Sequence, residues 1–98
     1  MTVQNISNKN GRKISNQFII RDDATSRTTF QSYDSMIATI DYQNNTISLG
    51  EKWDYSMTTT KYRNRFFDEQ GFNGLASTKA LANALKTGKY EDWTIITA

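Results

Sequence analysis

Cysteine, histidine and proline are all absent from the sequence. Without cysteine and histidine, the chain cannot form disulfides, thiolate nucleophiles, Cys/His zinc sites or imidazole-based catalytic triads. Without proline, it has no rigid proline linker and no proline-rich ligand motif, so its turns must be made by Gly, Asn, Asp and Ser. These absences exclude most familiar catalytic sites, and we expect no enzyme activity, no metal site and no cofactor.

Long apolar runs and a strong net charge are also absent. No stretch approaches the length of a signal-peptide core or a membrane span, so we expect a soluble, cytoplasmic protein. Twelve Lys and Arg residues oppose ten Asp and Glu residues, which leaves a net charge of +2. This balance argues weakly against a dedicated nucleic-acid binder and strongly against an acidic mimic of DNA. A chain of 98 residues has room for one domain.

Aromatic residues are concentrated in the segment WDYSMTTTKYRNRFF, which covers residues 53–67. The core must gather around these rings, because aromatic side chains bury large apolar areas. Trp53 and Tyr55 alternate like the last residues of a strand, and beyond them the apolar period changes to that of a helix. We interpret this segment as the junction between a sheet and a helix.

The helical period predicts a helix from Met57 to Glu69, with Asp54 or Ser56 as its N-cap. The predicted inward stripe consists of Thr59, Tyr62, Phe66 and Gln70, widened by Met57 and Phe67. A second helix is predicted from Lys79 to Thr87, capped by Ser77-Thr78 and ended by Gly88.

Four earlier segments alternate like strands, and polar turns separate them. They are Phe18–Ile20, Thr28–Tyr33, Met36–Tyr42 and Thr46–Gly50. In the second segment Thr28, Phe30 and Ser32 share a face, and we place Phe30 inward. An Asn44-Asn45 turn would set Gln43 opposite Thr46. As an alternative, Tyr33–Ala38 could open as a helical turn capped by Asp34.

The two ends of the chain leave alternatives open. Residues 1–15 form either a loose basic arm or an edge segment, and an Asn10-Gly11 turn would allow a first hairpin from Val3–Ile6 to Ile14–Ile20. Residues 90–98 either add a strand or end irregularly, with Trp93 and Ile95 on one face. We therefore predict an α+β domain over residues 16–98. Its antiparallel sheet has about four strands packed against two C-terminal helices, with a possible extra C-terminal strand.

Three groups of charged residues are candidates for contact with a partner. The first is a cationic helix face, the second a basic arm, and the third an acidic turn that we interpret as a turn rather than a metal site. They comprise Lys61, Arg63 and Arg65; Lys9, Arg12 and Lys13; and Asp22 and Asp23. Asp54 with Ser56 and Tyr55 with Lys61 are the polar pairs within the aromatic segment, but nothing in their spacing sets them in contact.

The segments NQFIIRDD, FQSYDSMIA and WDYSMTTTKYRNRFF resemble a family of small proteins carried by bacteriophages and integrative elements of Gram-positive bacteria. The resemblance covers residues 16–67. The matching positions are Asn16, Gln17, Phe18, Phe30, Gln31, Ser32, Tyr33, Trp53, Tyr55, Ser56, Thr59, Lys61, Tyr62 and Phe66.

This resemblance implies an accessory protein of a mobile element, a class similar to the small anti-CRISPR-type inhibitors of host defence. The first hypothesis is therefore a stoichiometric inhibitor that binds a nuclease or ribonucleoprotein complex, such as a Cas9-type effector, in the cytoplasm of the host bacterium. The second is a small nucleic-acid-binding or regulatory accessory of phage replication, which would use the same basic residues.

Overall fold

A computed structural model describes residues 1–8 and 10–98, so Lys9 of the predicted basic arm lies outside the described residues. The elements are β1 (Thr2–Ser7), β2 (Lys13–Asp22), β3 (Arg27–Ser32), β4 (Ser35–Asp41), β5 (Thr46–Leu49), α1 (Met57–Glu69), a 3₁₀ helix (Asn73–Leu75), α2 (Thr78–Thr87), β6 (Lys89–Tyr90) and β7 (Trp93–Thr97). In this described part, neither α-helix has the length and hydrophobicity needed to cross a membrane.

The seven strands form one mixed sheet in the order β1-β2-β3-β4-β5-β7-β6. All neighbouring strands are antiparallel except β5 and β7, which run parallel. Parallel neighbours require a crossover connection, and the segment that contains both helices supplies it. The helices pack on the face of the sheet that carries the buried side chains.

The prediction of about four antiparallel strands is wrong, because the sheet has seven strands and is mixed. The N-terminal residues add β1, which contributes one fully buried side chain, Ile6, and is otherwise held by pairing with β2. The C-terminal residues add β6 and β7, and β7 lies inside the sheet rather than at its edge. Pairing between β5 and β7 joins segments that are far apart in sequence, so no local pattern predicts it.

The core lies between the helices and one face of the sheet. Buried cross-strand neighbours follow one another over four strands, namely Thr28, Ile40, Ile47 and Ile95. Phe30 stacks on Phe66 of α1 with ring centroids 5.7 Å apart. Phe66 in turn meets Phe67 edge to face at 5.4 Å. The prediction that Thr28, Phe30 and Ser32 face inward is confirmed.

The predicted bounds of α1 are confirmed, and Ser56 is its N-cap, since the Ser56 Oγ accepts the Thr59 N–H at 3.1 Å. The second helix starts one residue before the predicted Lys79. Its predicted stop is confirmed, because Gly88 adopts a left-handed conformation with φ 75°.

Three predictions around α1 are wrong. Met57 does not widen the inward stripe, because its side chain is exposed. Arg63 does not lie on an exposed cationic face, because it is fully buried. Trp53 and Tyr55 lie in a turn rather than at the end of a strand, since β5 already ends at Leu49. Pairing with β7 ends there, and the chain must leave the sheet to begin its crossover.

The turn between β4 and β5 is organised by Asp41 rather than by a two-residue loop. Asp41, not Gln43, lies opposite Thr46, so the predicted register is wrong by two residues. The Asp41 Oδ1 accepts the N–H groups of Gln43 and Asn44, and its Oδ2 accepts the Asn44 side-chain amide at 2.9 Å. This carboxylate organises a wider turn than Asn44-Asn45 could form alone. The helical alternative at Tyr33–Ala38 is also wrong, because β4 begins at Ser35.

At acidic pH we expect the free energy of unfolding to depend on the protonation state of Asp41. The Asn44 side-chain amide is the main cause that lowers the pKa of Asp41 below its ordinary 3.8, with further hydrogen bonds from the Asn44 and Gln43 backbones and attraction to Arg27. The folded state therefore holds the proton less tightly than the unfolded state. The contribution of Asp41 is complete above the unfolded pKa and is lost as the pH falls through the folded pKa.

Urea denaturation between neutral pH and about pH 2.5 measures this effect. The Asp41→Asn variant should lose less of its stability below pH 4 than the parent protein does, because Asn carries no titrating proton. Asp23→Asn is the matched control, since Asp23 is exposed at another turn of the same sheet. Equal acid sensitivity of the parent and the Asp41→Asn variant would contradict the prediction.

Candidate functional site

A pocket of about 200 Å³, which we call the hydroxyl pocket, lies where the β3–β4 turn meets the N-terminus of α1. The turn between β5 and α1 closes its other side. The pocket is lined by Ser32, Tyr33, Asp34, Ser35, Ile37, Lys52, Tyr55, Ser56 and Thr59. Five of these residues (Ser32, Tyr33, Tyr55, Ser56 and Thr59) also carry the sequence resemblance described above.

Three hydroxyl groups form the inner wall of the pocket. The Ser56 Oγ donates to the Thr59 Oγ1 at 3.1 Å, and the Thr59 Oγ1 lies 3.3 Å from the Ser32 Oγ. Ser32 is the last residue of β3, so this chain of hydroxyls joins the sheet to the first turn of α1. Because Ser32 and Thr59 are buried, the wall is preorganised before any partner arrives.

The rim of the pocket is aromatic and exposed. Tyr33 is 60% exposed, Tyr55 is 71% exposed, and Met57, next to Ser56, is 89% exposed. The Lys52 ammonium lies 5.2 Å from the centre of the Tyr55 ring, where it forms a cation–π contact. Exposed aromatic side chains that gather around one concavity, as Tyr33 and Tyr55 do here, are typical of binding surfaces.

Tyr33 has a strained backbone. Its φ of 56° lies in the left-handed region, which costs a bulky residue roughly 1–2 kcal/mol. Two hydrogen bonds hold it there: the Tyr33 N–H donates to the Asn16 carbonyl at 2.7 Å, and the Gln31 side-chain amide donates to the Tyr33 carbonyl at 2.7 Å. Glycine or asparagine would fit this turn position with less strain, yet a tyrosine occupies it and projects into solvent.

The turn that carries Lys52 and Tyr55 is anchored from inside the protein by Arg63. The Arg63 guanidinium donates to the Trp53 carbonyl at 2.8 Å, to the Thr78 Oγ1 at 2.7 Å and to the Asn64 Oδ1 at 2.7 Å. It also lies over the Trp53 ring at 5.4 Å. Burial lowers the pKa of Arg63 to about 10, which still leaves it protonated at neutral pH. A buried cation thus fixes one wall of the pocket.

The structure does not bring the predicted contact residues together. Arg12 and Lys13 lie at one end of β2 and Asp22-Asp23 at the other, roughly 30 Å apart for a strand of this length. Lys61 is exposed on α1, with its ammonium over the Tyr62 ring, and Arg65 pairs with Glu69 at 3.6 Å. Arg63 is unavailable to any partner. These charges form no common surface.

Asp22 and Asp23 have the ordinary geometry of a turn. The Asp22 Oδ1 accepts the Ala24 N–H at 3.1 Å, and Asp23 is exposed. They line a shallow, open depression of about 260 Å³ at the end of the sheet, together with Arg21, Ser26, Arg27, Thr28 and Tyr42. The depression is larger than the hydroxyl pocket, but it is flanked by one exposed aromatic residue, Tyr42, which packs against Trp93.

The hydroxyl pocket can donate and accept hydrogen bonds. Among the described residues, no titratable side chain hydrogen-bonds to Ser32, Ser56 or Thr59. The Lys61 ammonium, which the sequence analysis pairs with Tyr55, instead lies over the Tyr62 ring. The hydroxyls are therefore placed to exchange hydrogen bonds with a polar group that enters the pocket, and Asp34 and Lys52 line the pocket without bonding to them.

The aromatic pattern places Tyr55 in the core with the rest of its segment, and this is wrong, because Tyr55 is exposed. The strand alternation places Tyr33 on the face opposite the inward-facing Phe30, which agrees with its exposure. The available signal was the pairing of each tyrosine with turn residues, Tyr33-Asp34 and Asp54-Tyr55-Ser56. Aromatic residues within turns face solvent more often than those within strands or helices, because loops run over the surface.

A protein-family model matches residues 1–83, and its description is a family of unknown function (DUF8033). The match runs from β1 into α2 and includes every residue that lines the hydroxyl pocket. The comparisons with curated proteins and with solved structures gave no match.

Proposed function

We propose that this chain, which belongs to the DUF8033 family of unknown function, works as a binding protein rather than as a catalyst. The observation that carries the proposal is the exposure of Tyr33 and Tyr55 on a preorganised hydroxyl pocket, with the exposed Met57 next to Ser56 in the chain. Tyrosine and methionine are enriched at protein interfaces, where a few such side chains provide most of the binding energy.

The geometry of the rim supports docking of a protein surface. Tyr33 and Tyr55 offer ring area at a small entropic cost, while Ser32, Ser56 and Thr59 line a concavity that a polar partner group can enter. Lys52 and Asp34 place one charge of each sign at the pocket, which favours a partner that offers a group of opposite sign to each.

The class of partner comes from the sequence resemblance to proteins of phages and integrative elements. We propose that the chain inhibits a host-defence nuclease complex, in the manner of an anti-CRISPR protein, by stoichiometric binding in the cytoplasm of the host bacterium. An inhibitor of this kind needs a docking surface and no catalytic group, which fits a site made of rings and hydroxyls.

A second candidate is single-stranded nucleic acid, and one observation favours it. Exposed tyrosines beside lysines, as in Tyr55 with Lys52, also form platforms on which bases stack while the cations contact phosphates. Such binding would weaken steeply as salt rises.

The test is capture of the partner from a host lysate with the C-terminally tagged chain, followed by a nuclease assay with the purified components. Inhibition should reach completion near one chain per complex. Tyr33→Gly and Tyr55→Ala should each weaken binding about 30-fold, because a central hot-spot side chain contributes about 2 kcal/mol. Tyr42→Ala, at the opposite end of the sheet, is the matched control and should bind normally.

Tyr33→Gly separates binding from folding. Because glycine tolerates the left-handed conformation, this variant should be as stable as the parent or more stable by up to about 1 kcal/mol. A stable Tyr33→Gly variant that binds normally would remove the pocket rim from the proposed interface. Recovery of nucleic acid alone, with salt-sensitive binding, would replace the inhibitor proposal with the second candidate.

A further inference from the structure

The outer edge of β1 differs from the other edge of the sheet. The segment TVQNIS of β1 pairs only with β2 in the described part of the chain, and it contains neither a charged residue nor a proline. The opposite edge is formed by β6, which has two residues and begins with Lys89. Proteins usually protect sheet edges with lysine, proline or very short strands, because an open edge pairs with other chains.

We infer that the edge of β1 pairs with β1 of a second copy of this chain, in antiparallel orientation, to form one continuous sheet across a two-fold axis. This inference concerns a surface separate from the hydroxyl pocket, and it goes beyond the proposed function. The occupant is a second copy because β1 is compatible with itself: pairing TVQNIS with TVQNIS sets no like charges opposite one another.

The alternation of β1 restricts where the two-fold axis can pass. Val3 and Asn5 point to the uncovered face of the sheet, as their partners Ile20 and Phe18 show, whereas Gln4 and Ile6 point to the helix side. Opposed residues in an antiparallel pair share a face. One residue of β1 must therefore lie directly opposite its own copy, with the two-fold axis between them. In the middle of the strand this residue is Gln4 or Asn5.

Apolar side chains beside this edge would gain from such pairing. Val3 is 60% exposed on the uncovered face, and its neighbours on β2, Phe18 and Ile20, are only half-buried. Pairing two β1 strands would place the Val3 side chains of both copies on one face of the joined sheet. Burial of this apolar area adds to the backbone hydrogen bonds that the edge leaves open.

Sedimentation velocity over a concentration series tests the inference on the C-terminally tagged chain. The parent should form dimers, and Val3→Lys should weaken dimerisation about tenfold or more, because it places two like charges at the joined edge. Ile96→Lys adds the same charge on the uncovered face of β7, where Ile96 is 44% exposed, and should dimerise like the parent. Added salt should not dissociate the dimer, since no ion pair forms it.

Because the chain contains no cysteine, a single introduced cysteine shows by disulfide formation whether that residue lies opposite its own copy at the two-fold axis. Oxidation should link copies through Gln4→Cys or Asn5→Cys, and a Thr94→Cys control on β7 should stay unlinked. A parent that is monomeric throughout the concentration series would overturn the inference. A dimer that Val3→Lys leaves intact, or that links through Thr94→Cys instead, would overturn it as well.

Discussion

Replacing Gly50 with alanine is expected to destabilise the protein by about 3 kcal/mol, the upper part of the range for inserting a methyl group into a packed interior. An ideal Cβ at Gly50 would lie 2.0 Å from the Met36 carbonyl oxygen and 3.1 Å from its carbonyl carbon. Both atoms belong to the backbone of β4, which cannot move aside as the end of a side chain can. The Gly50 N–H also donates to the Ile37 carbonyl at 2.8 Å, so the two segments are held at this distance.

Thermal unfolding measures the effect, and a loss of this size should lower Tm by roughly 12 to 24 °C for a domain of this length. Gly11→Ala is the control, because Gly11 has φ +80° but nothing within 4 Å of the added methyl group. Its cost of about 1 kcal/mol reflects conformation alone. If Gly50→Ala lost no more stability than Gly11→Ala, steric conflict with β4 would not be the reason for glycine at this position.

A comparison of α1 with Gly50 shows why sequence patterns predict some features of the fold well and others poorly. The helix Met57–Glu69 was predicted to the residue, because a capping serine and a helical period lie within one segment. Gly50, by contrast, reads as a simple turn residue in the sequence. Its close contact with Met36 arises where β5 leaves β4 beyond the Ala38–Leu49 pair, and no local pattern encodes that approach.

At Arg63 the helical spacing predicts burial correctly, whereas the residue type predicts exposure. It is spaced four residues from Thr59 and four from Phe67, both of which are buried, so helical geometry alone places it inward. The prediction instead followed the rule that arginine faces water, and it chose Tyr62 for the inward stripe. The rule fails here because neutral acceptors from three segments converge on the guanidinium.

The hydroxyl pocket could be predicted only in part. Ser56 was predicted as a candidate N-cap, and the cap fixes one hydroxyl of the wall. The other side comes from Ser32 and Tyr33, which are more than twenty residues away in sequence. Joining these segments requires the packing of α1 on β3, where Phe66 stacks on Phe30. Sites built by tertiary packing between distant turns leave little trace in a single sequence.

Substitution of Arg63 by methionine is expected to cost about 3 kcal/mol, although it removes a buried charge. Desolvation of that charge opposes folding, and the same burial lowers the pKa of Arg63. The larger effect is the loss of donors. Methionine would leave the Trp53 carbonyl, the Asn64 Oδ1 and the Thr78 Oγ1 without the bonds that Arg63 provides. Trp53 and Asn64 are half-buried, and an acceptor that loses its donor away from water costs about 1–3 kcal/mol, so the lost bonds together outweigh the recovered desolvation.

A double-mutant cycle with Thr78→Val separates these contributions, with urea denaturation as the measurement. Thr78→Val removes an acceptor that Arg63 bonds at 2.7 Å, so the double variant should be more stable than the sum of the two single losses predicts by about 1 kcal/mol. Thr87→Val, at the far end of α2, is the control and should add independently. A role for Arg63 in joining the two helices would be contradicted by additive losses for Arg63→Met and Thr78→Val. It would also be contradicted if the Arg63→Met variant were as stable as the parent. Because Arg63 also anchors the turn that carries Tyr55, a folded Arg63→Met protein should bind the proposed partner less tightly as well.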